Sequence, residues 1–139
     1  MVSDDEPVSL GAGAIVKVVG PCKSGKSTLV AGLKAVGYAA RSCSQEHSET
    51  PTMWLRIVPP DCLIFLDVSL ASMRARADRS DWSEGLLATQ QRRLAHARQH
   101  ADLIIATDAA TPQQVLGQAL DFLERSGLRK TAQGFASSL

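Results

Sequence analysis

The chain has 139 residues, 15 Lys plus Arg against 14 Asp plus Glu, and 45% hydrophobic residues, ordinary proportions for one globular domain. A net charge of +1 excludes a strongly basic nucleic-acid arm or an acidic disordered chain as its main theme. Its apolar runs fall far short of the ~20 residues that span a bilayer, so no membrane segment is expected.

Aromatic residues make up 4%, so the core must be aliphatic. A chain of this length buries roughly 68% of the surface that it exposes when unfolded, and needs no disulfide or structural metal. Cys22, Cys43 and Cys62 are odd in number and widely spaced, with no Cys-x-x-Cys pair and no histidine spaced along the chain to complete a zinc site. That pattern fits a reduced, cytoplasmic setting. Residues 1–7 are acidic and carry no basic region ahead of an apolar run, so no secretory signal is expected there.

Taken in chain order, the β-branched run Ile15, Val16, Lys17, Val18, Val19 ends at Gly20 and reads as a strand buried on both faces. A helix is predicted over residues 26–36, with Leu29, Val30, Leu33 and Val36 as its apolar stripe and Gly37 as its stop. Residues 38–44 read as a weaker strand that runs into Gln45, Glu46 and His47. Thr50 and Pro51 are expected to start a short helical turn through Ile57, stopped by Pro59 and Pro60. Residues 62–67 form the clearest apolar strand.

Ser69 then caps a helix to about Arg79, and Ser83 another to about His100, with Leu87, Leu94, Ala97 and Ala101 on one face. Residues 103–106 are the last strand. Thr111, Pro112 and Gln114 make a capping box for a final helix that turns Val115, Leu116, Ala119, Leu120 and Leu123 inward and stops at Gly127. The expected domain covers residues 1–127, followed by a loose tail over 128–139. Strands separated by helices pair in parallel, so the prediction is an α/β three-layer sandwich around a parallel sheet of about four strands.

Gly20-Pro21-Cys22-Lys23-Ser24-Gly25-Lys26-Ser27 matches G-x-x-x-x-G-K-[ST] between a predicted strand and a predicted helix. The spacing has a chemical reason. Glycines let backbone N–H groups turn toward phosphate oxygens, and the N-terminus of the following helix points its dipole at the same anion. Lys26 can then reach β and γ phosphates, and the Ser27 hydroxyl can ligate magnesium. Gly20, Lys23, Ser24, Gly25, Lys26, Ser27 and Thr28 are the candidate nucleotide-binding residues.

With this loop, the chain resembles the P-loop small-molecule kinases, the group that holds nucleoside monophosphate, thymidylate, shikimate and dephospho-coenzyme A kinases. Residues 15–28 are similar to their phosphate loop. Residues 60–68, followed by Arg74, Arg76 and Arg79, resemble the strand and arginine-bearing helix that lead into the lid. Residues 101–107, then Thr111 and Pro112, resemble the last strand and helix, whose connecting loop lies near adenine. The resemblance implies a P-loop NTPase fold that binds ATP and Mg2+.

It also implies that lid arginines supply cations to the phosphoryl group, here Arg76 and Arg79; planar, permanently charged guanidinium suits that task. Arg92, Arg93 and Arg98 read as a solvated face. Two acids are candidates to support magnesium beside Ser27, Glu46 and Asp67. Glu46 is preferred, because a strand over 38–44 would neighbour the loop strand in such kinases; Asp67 can instead serve as a helix-start acid. Cys22 sits in the loop, where its oxidation would obstruct binding.

One departure is large. Only about three residues separate the first helix from the second strand, where monophosphate kinases insert an acceptor-binding subdomain. Any acceptor site must come from residues 45–57, with Gln45, His47, Trp54 and Arg56 as candidates; for Trp54, packing under a loop is the preferred alternative. No Asn-Lys-x-Asp guanine motif occurs, which favours ATP over GTP. The expected function is an ATP-binding, magnesium-dependent phosphotransferase with Lys26, Glu46, Arg76 and Arg79 as catalytic residues and an unknown small-molecule acceptor. A non-catalytic nucleotide-binding module and a simple NTP hydrolase are the alternatives.

Overall fold

The structure is a computed structural model, and it describes residues 13–79 and 81–130. The acidic stretch over 1–7, Ser80 and the tail beyond residue 130 lie outside the described residues. Four strands, β1 (Ile15–Val19), β2 (Ala39–Ser42), β3 (Cys62–Asp67) and β4 (Leu103–Ala106), form one parallel sheet in the order β2-β1-β3-β4. The helices are α1 (Lys26–Val36), α2 (Leu70–Ala77), α3 (Glu84–His100) and α4 (Pro112–Arg125). This is the expected α/β chain with a small parallel sheet.

The alternation of side chains along β1 and β3 divides the core. Val16 and Val18 of β1 and Cys62, Ile64 and Leu66 of β3 pack with Leu29, Val30 and Leu33 of α1 and Val115, Ala119 and Leu123 of α4. Val19, Leu63 and Phe65 face the other way, onto Leu94 and Ala97 of α3 and onto Trp54. From β1 the chain steps outward to β2, returns past β1 to β3, then steps outward again to β4. Crossovers of one hand that step in opposite directions place their helices on opposite faces, which is the division seen between α1 and α3. The reversal between β1 and β3 opens a crevice at the carboxyl ends of these strands, where open α/β sheets hold ligands.

Several boundaries differ from the sequence expectation. β2 is shorter than residues 38–44, because the backbone turns at Ser44 into a 3-10 turn, Gln45–His47. The expected turn over 50–57 contracts to Met53–Leu55, and its N-cap, Thr52, makes no side-chain cap. Ser69, Ser83 and Thr111 cap α2, α3 and α4 as read, and Thr111 with Gln114 completes the capping box. Beyond Gly127, Leu128 packs on the core and the Arg129 carbonyl accepts from the Ala14 N–H at 2.8 Å, so the described start of the supposed tail is held.

Burial of Cys62, reinforced by the negative charges of Asp102 and Asp61, pushes its thiol up to about 12. A raised folded value means that folding retains the thiol proton. The associated stability is complete below the unfolded value near 9 and is lost as pH rises toward 12, at about 1.4 kcal/mol per unit. Urea unfolding between pH 8 and 10.5 should therefore show a steeper alkaline loss for the parent than for Cys62→Ala; equal slopes would refute this account.

Candidate functional site

The 20–27 loop leaves the buried end of β1 at the crevice. A Cβ on Gly20 would stand 2.5 Å from the Leu66 carbonyl oxygen and 2.7 Å from Ser24 Oγ, so the loop crosses the end of β3 only with glycine there. Gly25 has a different requirement. Its φ of +102° is left-handed, and a Cβ there would meet nothing within 4 Å, so glycine serves the turn rather than the packing. Lys23 also adopts a left-handed φ, +64°.

Gly25 is the N-cap of α1, which has no side-chain cap and no acid in its first turn. The other three helices spend a Ser or Thr oxygen on that position. The N–H groups of the first turn of α1 are thus left to an external acceptor, with the positive end of the helix dipole behind them. Ser27 and Thr28 are exposed on that turn. Ser24 Oγ is buried in the loop without a partner among the described residues.

Lys26 folds back across the loop, its Nζ donating to the carbonyls of Gly20 at 2.9 Å and Pro21 at 3.0 Å. The same ammonium lies 2.9 Å from Glu46 Oε2, and their side chains are 12% and 5% exposed. Glu46 reaches it because β2 pairs directly with β1, so the turn after β2 ends beside the loop after β1. The second carboxylate oxygen, Oε1, is buried with no partner among the described residues. Asp67 does not share this place: Oδ1 accepts from the Val68 N–H at 3.1 Å and Oδ2 lies 3.4 Å from Arg98.

On the other side of the loop lies a cavity of about 290 Å³. Lys23, Ser24, Gly25, Thr28 and Leu29 form one wall, and Arg76, Thr107, Ala110, Pro112 and Val115 the other. Arg76 ties the walls together. It donates to the Lys23 carbonyl at 2.8 Å, to the Thr107 carbonyl at 2.8 Å and to Thr107 Oγ1 at 3.2 Å, while Thr107 Oγ1 donates to the Asp67 carbonyl at 2.9 Å. Arg79 is not brought there. Its guanidinium is exposed and engages both oxygens of Asp81, at 2.9 and 3.1 Å.

The candidates for acceptor contact separate. Gln45 is fully buried, and its amide is spent on the Thr50 and Arg93 carbonyls and the Trp54 N–H. Trp54 is also buried, with Nε1 donating to His96 Nδ1 at 3.1 Å. Both are framework rather than acceptor contacts, because every polar atom involved is already used inside the fold. Arg56 is exposed, and His47 stays open to solvent beside Glu46, its Nε2 lying 3.7 Å from Glu46 Oε2. Arg92 and Arg93 grip Glu49, whose carboxyl these hydrogen bonds hold below its usual range.

Two supporting residues escaped the sequence reading. Lys17 is buried within β1, and Nζ donates to the carbonyls of Trp54 at 2.9 Å and Arg56 at 3.0 Å, anchoring the 53–57 segment; burial lowers its pKa. Gln90 is buried on α3 and accepts from the Cys22 N–H at 2.9 Å while its Nε2 donates to Cys22 Sγ at 3.1 Å. Both carried a signal. Lys17 interrupts a β-branched run, and Gln90 lies between Leu87 and Leu94 on the apolar stripe of its helix.

No family model matches the chain, and no curated protein matches it. The support that Gln90 lends the loop is measurable. Gln90→Ala should lower stability by about 1–3 kcal/mol, since it strips the partner from the Cys22 N–H. Urea denaturation checks this, and an unchanged midpoint would show that the contact contributes nothing.

Proposed function

We propose that the chain is an ATP-binding, magnesium-dependent phosphotransferase of small-molecule kinase type. The observation that carries this reading is the Lys26–Glu46 pair at the uncapped start of α1, with one buried Glu46 oxygen left without a partner. A buried carboxylate oxygen with no donor is rare unless something else binds it. A hard oxygen ligand beside a phosphate-binding loop fits magnesium, which Ser27 and Glu46 would hold; the ion would neutralise charge on the phosphates.

In this reading Lys26 exchanges the Gly20 and Pro21 carbonyls for phosphate oxygens, while the first turn of α1 donates its free N–H groups to the same phosphates. The cavity accepts the base between Leu29, Pro112 and Val115, with Thr107 as a polar edge, and its volume of about 290 Å³ suits one base. Arg76 borders both loop and cavity and supplies the lid cation. Arg79 takes part only by exchanging Asp81 for phosphate. Catalysis then consists of positioning and charge neutralisation, with Glu46 also placed to receive a proton from an acceptor hydroxyl near His47 and Arg56.

A second reading, a nucleotide-binding module without transfer activity, is favoured by one observation. Only Gly37 and Tyr38 separate α1 from β2, which leaves no acceptor subdomain between them.

Lys26→Ala should abolish ATP binding in calorimetry while circular dichroism stays that of the parent; retained affinity overturns the nucleotide site. With labelled ATP and a panel of small hydroxyl and phosphate acceptors, label on an acceptor supports the kinase, free phosphate a hydrolase, and stable bound ATP the module. Arg76→Ala should then cost roughly 10²-fold in turnover, the scale for removing one charge-stabilising donor. Glu46→Gln should weaken the magnesium dependence of binding, and an unchanged magnesium titration would remove Glu46 from the metal site.

A further inference from the structure

Cys22, Glu46 and His47 come from two separate loops, yet each offers a ligand atom within 4.8 Å of the others. Cys22 Sγ lies 3.5 Å from His47 Nε2, and that nitrogen lies 3.7 Å from Glu46 Oε2. Bonds of about 2.3 Å to sulfur and 2.0–2.1 Å to nitrogen or oxygen, set at tetrahedral angles, place S and N ligands about 3.5 Å apart and N and O ligands about 3.3 Å apart. The first separation is already met. The second closes by a few tenths of an ångström, which the exposed His47 ring can supply. The third, Cys22 Sγ to a Glu46 oxygen, lies within 4.8 Å and must shorten toward about 3.5 Å on binding.

Access and orientation favour the same conclusion. The His47 side chain is 59% exposed and Cys22 is half-buried, so an ion can enter from solvent. Gln90 Nε2 fixes the sulfur by donating to it at 3.1 Å, and Gln90 is itself buried. Glu46 completes the set: it is 4% exposed, its Oε2 is the oxygen that lies near His47 and pairs with Lys26, and its Oε1 is buried with no partner among the described residues. We infer that Cys22, His47 and Glu46 form a binding site for a thiophilic divalent cation of the zinc class, with water as its fourth ligand.

The donor set selects the ion. Thiolate and imidazole favour zinc or cobalt over magnesium or calcium, which prefer oxygen throughout. On binding, the Cys22 thiol proton leaves to solvent, the neutral His47 ring presents Nε2 with its proton on Nδ1, and no electron changes hands. The sequence offers no zinc spacing because the ligands are adjacent only in the fold. The site shares Glu46 with the proposed magnesium site, so the two ions would compete for that carboxylate; its test uses neither nucleotide nor magnesium, so failure there is distinguishable from failure of the proposed function.

The test is cobalt titration of the reduced full-length chain without nucleotide. A thiolate-to-cobalt charge-transfer band, with the intense visible absorption of a tetrahedral ion, is expected at one equivalent, and zinc should bleach it stoichiometrically. Cys22→Ser should remove the charge-transfer band, and His47→Ala should weaken cobalt binding at least tenfold. Cys43→Ser should leave both unchanged. Because His47 is on the surface, its variant keeps the test decisive if Cys22→Ser fails to fold. Absence of the band in the parent overturns the proposal. So does a cobalt signal that survives His47→Ala but disappears in His100→Ala, which would assign the metal to the His96–His100 pair of α3, whose ring centroids are 4.4 Å apart.

Discussion

A lysine ammonium held out of water between two backbone carbonyls and a carboxylate is the interaction around which the rest of the site is arranged. Lys26 and Glu46 together would be costly to bury singly, and the pair is tolerated because each charge compensates the other at 2.9 Å. That arrangement needs β2 beside β1, since only then do the loop after β1 and the turn after β2 meet. It also needs the loop to stay close to the sheet, which Gly20 allows by admitting the Leu66 carbonyl where a side chain would collide.

The surroundings fall into two classes, and burial separates them. Gln45, Lys17 and Gln90 use their polar atoms on partners inside the fold, backbone groups and, for Gln90, also the Cys22 sulfur, so they shape the 45–57 segment and the loop without being free to contact a ligand. Glu46 and Ser24 are equally buried but keep a polar atom unpaired, and Arg76 spans the loop and the end of β4 at the cavity. A buried polar atom without a partner is a stored cost, and the proposed binding of phosphate and metal would relieve it.

Much of the fold was legible because its signals are local. The run around Val16 and Val18, the stripe of Leu29 and Leu33, and the caps at Ser69, Ser83 and Thr111 each depend on spacing within a few residues. The failures are also physical. Strand β2 ends early because the chain turns at Ser44 into the 3-10 segment Gln45–His47 that delivers Glu46, and the 50–57 turn contracts because Gln45 and Lys17 capture its backbone. Trp54 could not be assigned from composition to core or surface, since either position is open to an amphipathic ring until its neighbours are known.

The sequence by itself determined the elements, their parallel pairing and the glycine-rich loop ahead of α1, because helix, strand and loop preferences are written in short spacings. Only the tertiary structure decided which distant residues meet. It paired Glu46 rather than Asp67 with Lys26, brought Arg76 but not Arg79 to the cavity, and drew Cys22 to His47. These outcomes follow from strand order and from which ion partners lie nearer after folding: Arg98 occupies Asp67, and Asp81 occupies Arg79. Sheet order is a property of the whole chain, and no window of the sequence contains it.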